Sequence, residues 1–227
     1  MKTLITTLLV IHIIGGFAAL ITGFAASVTA KGKTRHRQSG RFYFWSMTVV
    51  FITAVALGIL KERWFLFMVG FFSYYLVVRG YRILYLKKLG EGQKAGWLDW
   101  SIVAVAMTFG ASLFVWSFLS GSKAFSTVAL VFGIICIGFS ARDIQLFVRG
   151  PKMKNHWLPG HITSMGAGYI ATWTAFVVTN VTFLPTVVIW LAPTVIGTIC
   201  IAYARRKYQA NPPRPLKPAL ARGGMEA

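Results

Sequence analysis

Long apolar runs broken by short polar, mostly basic segments are the dominant pattern of this chain. An α-helix needs about 20 apolar residues to cross the hydrocarbon of a bilayer, and seven runs of that order occur, at 4–27, 42–60, 64–86, 100–120, 125–148, 159–182 and 184–204. In lipid every backbone N–H and C=O must be bonded within its own segment or in a closed barrel. The runs are therefore read as helices even where Val, Ile and Phe would favour strands in water. The expected fold is all-α: a polytopic transmembrane bundle over 1–207, followed by a basic, proline-containing tail, 208–227, that is too polar to bury a core and is expected to be disordered.

Composition agrees with lipid as part of the solvent, because 56% of the residues are hydrophobic and only 13% charged. A formal charge of +19 on a soluble chain would point to nucleic acid as partner. Here the bases fall between the apolar runs, so they report topology and affinity for anionic headgroups instead, and no nucleic-acid partner is expected. With seven spans, the connections after the first, third and fifth runs and the tail place most Lys and Arg on one side. The other side receives only Lys2, Lys61, Arg63 and Lys123. That asymmetry orients the chain N-out and C-in. Ala26-Ser27-Val28-Thr29-Ala30 has the small residues of a signal-peptide cleavage site, but the preceding run is long, contains His12 and leads into strongly basic sequence, so it is kept as a mature helix. Trp45, Trp64, Trp97, Trp100 and Trp157 fall near span ends, where amphipathic rings sit at headgroup level.

Ionisable residues at membrane depth are costly, which makes them the first candidates for function. His12 lies close to the midplane of the first span, on a face with Gly16, Ala19 and Gly23, where small residues admit a close neighbour. Arg79 and Arg82 share one face at the end of the third span, and Arg142-Asp143 lies near the end of the fifth. Adjacent on a helix, Arg142 and Asp143 point in different directions and are expected to bond different neighbours. The sixth run is the most polar. His161, Met165, Gly168, Thr172 and Thr179 form one stripe, with Tyr169, Trp173 and Asn180 beside it. His36, in the first basic connection, falls on the same side as Arg79, Arg82, Arg142, Asp143 and His161. Together these residues predict a cytoplasm-facing polar pocket. Cys136 and Cys200 each sit in an apolar run, where a free thiol behaves as a small hydrophobe. No CxxC, CxxCH or HExxH pattern is present.

The sequence His12-x-x-Gly15-Gly16-Phe17-Ala18-Ala19-Leu20, Lys31-Gly32 with His36 and Gly40-Arg41-Phe42-Tyr43, Arg79-Gly80-Tyr81-Arg82, Arg142-Asp143, and Gly160-His161 through Met165 and Tyr169 to Thr174 resembles a bacterial family of multi-pass membrane proteins defined only as a domain of unknown function. The resemblance covers most of the chain except the tail. It implies an inner-membrane protein and supplies no activity.

Three kinds of function are compatible with these residues. The favoured one is binding or transport of a small or anionic ligand through the His/Arg pocket, with His36, Arg79, Arg82, Arg142, Asp143, His161 and Tyr169 as candidates and His12 as a separate intramembrane polar residue. The second is a redox or metal-binding membrane protein, in which His36 and His161 are the available ligands, for b-type haem or a metal ion. The third is a non-catalytic assembly subunit. Hydrolytic chemistry has the least support, because interior acids are nearly absent and no nucleophile and base fall at a suitable spacing.

Overall fold

A computed structural model describes residues 1–210, so positions 211–227 of the expected tail lie outside the described residues. Seven α-helices are present, with no strand among the described residues: α1 (Lys2–Val28), α2 (Thr34–Leu60), α3 (Trp64–Arg82), α4 (Trp97–Leu119), α5 (Lys123–Arg149), α6 (Trp157–Asn180) and α7 (Thr186–Ala210). A short 3-10 turn, Ile83–Tyr85, prolongs α3. Six of the helices are long and apolar enough to span a bilayer, so the protein is membrane-embedded. The seventh, α6, has the length, 24 residues, but carries the hydroxyls and imidazole that lower its hydropathy.

The helices correspond one to one with the apolar runs, and their ends differ from them for a physical reason. Hydropathy marks where lipid begins, whereas a helix continues for as long as its backbone bonds do. α2 therefore starts at Thr34, eight positions before the apolar run, and His36 lies in its first turn rather than in a loop. α7 likewise runs on to Ala210, through positions 208–210 that were expected to begin the tail. The α5 exit is sharp because Gly150 adopts φ 74°, a left-handed conformation that glycine takes without steric cost, and Pro151 follows it.

Around the bundle, neighbours run α1, α2, α3, α4, α5, α7, α6 and back to α1, and α3 also touches α5 and α6. With four helix neighbours, α3 is the hub. Its apolar side carries Phe65, Met68, Phe72 and Leu76 into a cluster with Leu113 of α4, Phe132 of α5 and Trp190 of α7. Between helices in lipid the drive is contact and hydrogen bonding rather than the hydrophobic effect, so small residues decide how closely backbones approach. On α1 the buried small residues are Gly15, Ala19 and Gly23. Gly16, expected on this face, opens onto empty space, whereas a Cβ on Gly15 would meet Val49 and Val50 of α2 at 3.3 Å. The two glycines are adjacent, and spacing alone did not choose between them.

Contacts between connections show which helix ends lie together. The Lys87 ammonium sits 4.4 Å from the Trp157 ring centroid, His156 Nε2–H donates to Leu86 O at 3.0 Å, and the His36 and His161 rings lie 6.2 Å apart. The connections 29–33, 83–96 and 150–156 thus share one end of the bundle. Cys136 is buried and donates Sγ–H to Ala106 O at 3.2 Å, and Cys200 is exposed. Both are free thiols.

Candidate functional site

Two ion pairs hold the polar end of α3. Arg79 Nε lies 2.8 and 2.7 Å from the two carboxylate oxygens of Asp143 on α5, and Arg79 Nη2 lies 2.7 Å from Asp143 Oδ1. Arg79 Nη1 donates to Ser164 Oγ on α6, and Tyr75 Oη–H, one turn earlier on α3, donates to Asp143 Oδ2 at 2.8 Å. The guanidinium also sits over the Phe139 ring, 5.1 Å from its centroid. With side-chain exposures of 12% and 5%, Arg79 and Asp143 form a buried pair to which Ser164 and Tyr75 add further hydrogen bonds. One turn on, Arg82 Nε donates to Asp99 Oδ1 on α4 at 2.6 Å. Asp99 Oδ2 in turn accepts from Gly96 N at 2.9 Å and so caps the start of α4. The cavity lined by both arginines and both aspartates is about 20 Å³, room for a single water.

A second cluster is built from imidazoles. His36 Nδ1 lies 2.9 Å from Ala26 O in the last turn of α1, and His161 Nδ1 lies 2.7 Å from Gly80 O in the last turn of α3. Carbonyl oxygens only accept, so in both rings Nδ1 carries the proton and donates it. Each histidine thereby satisfies a carbonyl that its helix end leaves without an internal partner. The two rings meet edge to face at 83°. Neither Nε2 has a partner among the described residues, and neither belongs to the buried, unpaired atoms of the structure. Each ε nitrogen therefore keeps some exposure on its half-buried ring.

Lysines border it. Lys31 Nζ donates to Ala26 O, the carbonyl that also receives His36, at 2.9 Å. Burial, and secondarily the charge of Lys207, hold the Lys31 ammonium below the usual lysine range. Lys87 Nζ lies over the ring of Trp157, one turn before His161 on α6.

Of the residues expected to form one pocket, Arg79, Arg82 and Asp143 meet at the ion-pair cavity, and His36 and His161 meet at the mouth. The clusters touch through α3 and α6: His161 bonds the carbonyl of Gly80, next to Arg79, and Arg79 bonds Ser164, three residues after His161. Arg142 is exposed and belongs to neither cluster. Tyr169 reaches the other way, donating Oη–H to Leu20 O of α1 at 3.1 Å. His12 Nδ1 lies 2.9 Å from Thr53 Oγ1, joining α1 to α2. The polar stripe of α6 is buried at Gly168 and Thr172, the latter of which bonds Tyr43 Oη at 3.1 Å. Thr179 and Asn180 are exposed and bond carbonyls of their own helix.

Asp99, Ser164 and Tyr75 were not anticipated. Asp99 carried a usable signal, because the chain has only five Asp and Glu and an acid set in an apolar run needs a cation. For a metal or haem the arrangement offers two imidazoles, and no group of three or more His, Cys, Asp or Glu able to hold an ion occurs among the described residues. For an anion it offers two imidazoles and flanking ammonium groups, with Asp99 and Asp143 already committed to arginines. The chain matches no family model, no curated protein and no solved structure, so its chemistry is read from this geometry alone.

Proposed function

We propose that this protein binds a small anion or an anionic headgroup at the His36–His161 mouth, and that it does so at the cytoplasmic face of a bacterial inner membrane. One observation carries the reading. Two histidines from different helices meet with both ε nitrogens unpartnered among the described residues, with Lys31 on the carbonyl that His36 also bonds and Lys87 over Trp157, one turn before His161. Asp99 and Asp143 are paired with arginines and Glu62 lies in the turn at the opposite end, while Glu91, exposed in the connection 83–96 at this end, forms no ion pair among the described residues. Arg79 and Arg82 are tied to Asp143 and Asp99, and Arg142 lies exposed away from both clusters, so the proposed site is a His/Lys mouth rather than a His/Arg pocket. The single-water cavity between the ion pairs favours binding at the mouth over passage between the helices.

The test is calorimetric titration of the protein in phosphatidylcholine nanodiscs with inorganic phosphate and with sulfate, alongside nanodiscs doped with anionic lipid. Saturable binding of at least one of these is expected, lost in the His36→Asn, His161→Asn double variant and kept in Arg142→Gln. Absence of saturable binding for all of them would refute the proposal. Orientation is tested separately. Alkaline phosphatase fused after Arg206 should be inactive in a bacterial host and active when fused after Arg63, and the reverse pattern would put the mouth outside.

A second reading rests on the same rings. Metal-ligating histidines commonly donate their other N–H to a backbone carbonyl, as His36 and His161 do. Against it stand the neighbouring ammonium groups, which repel a cation. The absorption spectrum of the purified protein separates the two readings, since b-haem would give a Soret band that anion binding does not.

A further inference from the structure

We infer that the ligand of this mouth is an oxyanion that carries its own proton, free hydrogen phosphate or a phosphomonoester group in its singly charged form, in preference to an anion of similar shape without an O–H. The inference rests on the anion-binding reading and adds the chemistry of the ligand to it. Its origin is the fixed tautomer of the two rings. His36 and His161 each donate Nδ1–H to a backbone carbonyl, Ala26 O at 2.9 Å and Gly80 O at 2.7 Å. A neutral imidazole has one N–H, so Nε2 of each ring presents a lone pair.

Two lone pairs at one mouth are a poor receptor for a bare anion. A fully deprotonated oxyanion brings acceptors to acceptors, and it binds well only if a ring takes up a proton. A P–OH group reverses that mismatch. Its hydrogen is donated to one Nε2, while its charged oxygens turn toward Lys31, held at the Ala26 carbonyl shared with His36, and Lys87, held over Trp157 one turn before His161. Sites built to pair with a hydroxyl discriminate strongly against an analogue that lacks it, because their own polar atoms are then left unpaired. The phosphate group can belong to a lipid or to a free solute: hydrogen phosphate keeps a P–OH at neutral pH, and a monoester keeps one in its singly charged form.

Phosphate and sulfate are both tetrahedral oxyanions, so comparing them isolates the proton. In phosphatidylcholine nanodiscs at about pH 7.5, where an ordinary imidazole is mostly neutral, inorganic phosphate is expected to bind about tenfold more tightly than sulfate, the worth of one added hydrogen bond. For the lipid source, nanodiscs doped with phosphatidic acid, a monoester, are compared with phosphatidylmethanol, a diester with no hydroxyl, at about pH 6.5, where a monoester with a second pKa near 6 still keeps part of its P–OH. Competition of phosphatidic acid against free phosphate identifies a shared site, and binding of phosphatidic acid alone identifies a headgroup site. His161→Asn keeps an amide N–H near the Nδ1 position to serve Gly80 O and removes Nε2. It should retain thermal stability and lose the phosphate preference. His161→Gln, which keeps a polar group near the ε position and loses the cap, should do the opposite. Equal affinity for phosphate and sulfate, with phosphatidic acid no better than phosphatidylmethanol, overturns this inference and leaves anion binding standing. A preference that survives in the His36→Asn, His161→Asn double variant also overturns it. Failure of all four probes to bind overturns the anion reading itself.

Discussion

Replacing Asp143 with alanine is expected to destabilise the bundle by about 3–5 kcal/mol, the usual cost of removing one partner from a buried ion pair. Arg79 would keep its charge at 12% exposure with only Ser164 and the Phe139 ring left as partners. Tyr75 would lose its acceptor as well. The loss should therefore exceed that of Arg142→Ala next door, whose exposed side chain lies outside both clusters and should change stability by no more than about 0.5 kcal/mol. Much of the Asp143→Ala deficit reflects the stranded cation rather than the worth of the pair. Arg79→Met combined with Asp143→Leu should accordingly recover most of the lost stability. Thermal unfolding in detergent, followed by circular dichroism, ranks the three variants. A double variant less stable than Asp143→Ala would show that the pair contributes more than its own desolvation cost.

The same pair shows how far the sequence could be read. Seven helices and their alternation were legible because lipid imposes a length and excludes charge, and both constraints are local in sequence. Asp143 was legible as a residue that seeks another helix, since it cannot face the same way as Arg142. Its partner was not, because Arg79 lies 64 positions earlier and helix order around a bundle is not written in hydropathy. Asp99 was missed for the same reason, although it supplies the counter-charge to Arg82. His36 was assigned to a loop because Arg35, Arg37 and Arg41 lower the local hydropathy, yet a helix standing proud of the lipid tolerates charge in its first turns. The polar stripe on α6 was correct as a direction and too long as a boundary. Its far end, Thr179 and Asn180, satisfies its hydrogen bonds on its own helix and has no need of the interior.

What the sequence could not supply at all was the division of labour within each imidazole. A histidine facing helix ends at the membrane surface reads equally as a cap or as a ligand. Here one nitrogen of each ring caps a carbonyl and the other is left over. Folding and binding are thereby assigned to different atoms of one side chain, which is why asparagine and glutamine substitutions separate them.

Gly80→Val is expected to remove ligand binding without touching either imidazole. A Cβ at this position would lie 2.7 Å from Met165 Sδ and 2.9 Å from the Met165 backbone nitrogen. The sulfur could move aside, but the backbone nitrogen belongs to α6 and cannot. Valine should therefore push α6 off α3, at a cost of about 1–3 kcal/mol for overpacking. Because the Gly80 carbonyl also holds His161, the displacement moves that ring away from His36, which is carried by α2. The expected result is a folded but less stable protein that no longer binds phosphate, with Gly138→Val as the control, since nothing lies within 4 Å of a Cβ there. Wild-type phosphate affinity in Gly80→Val, at reduced thermal stability, would mean that the mouth does not depend on how closely α3 and α6 approach. The two-ring site would then be the wrong place to look for the ligand.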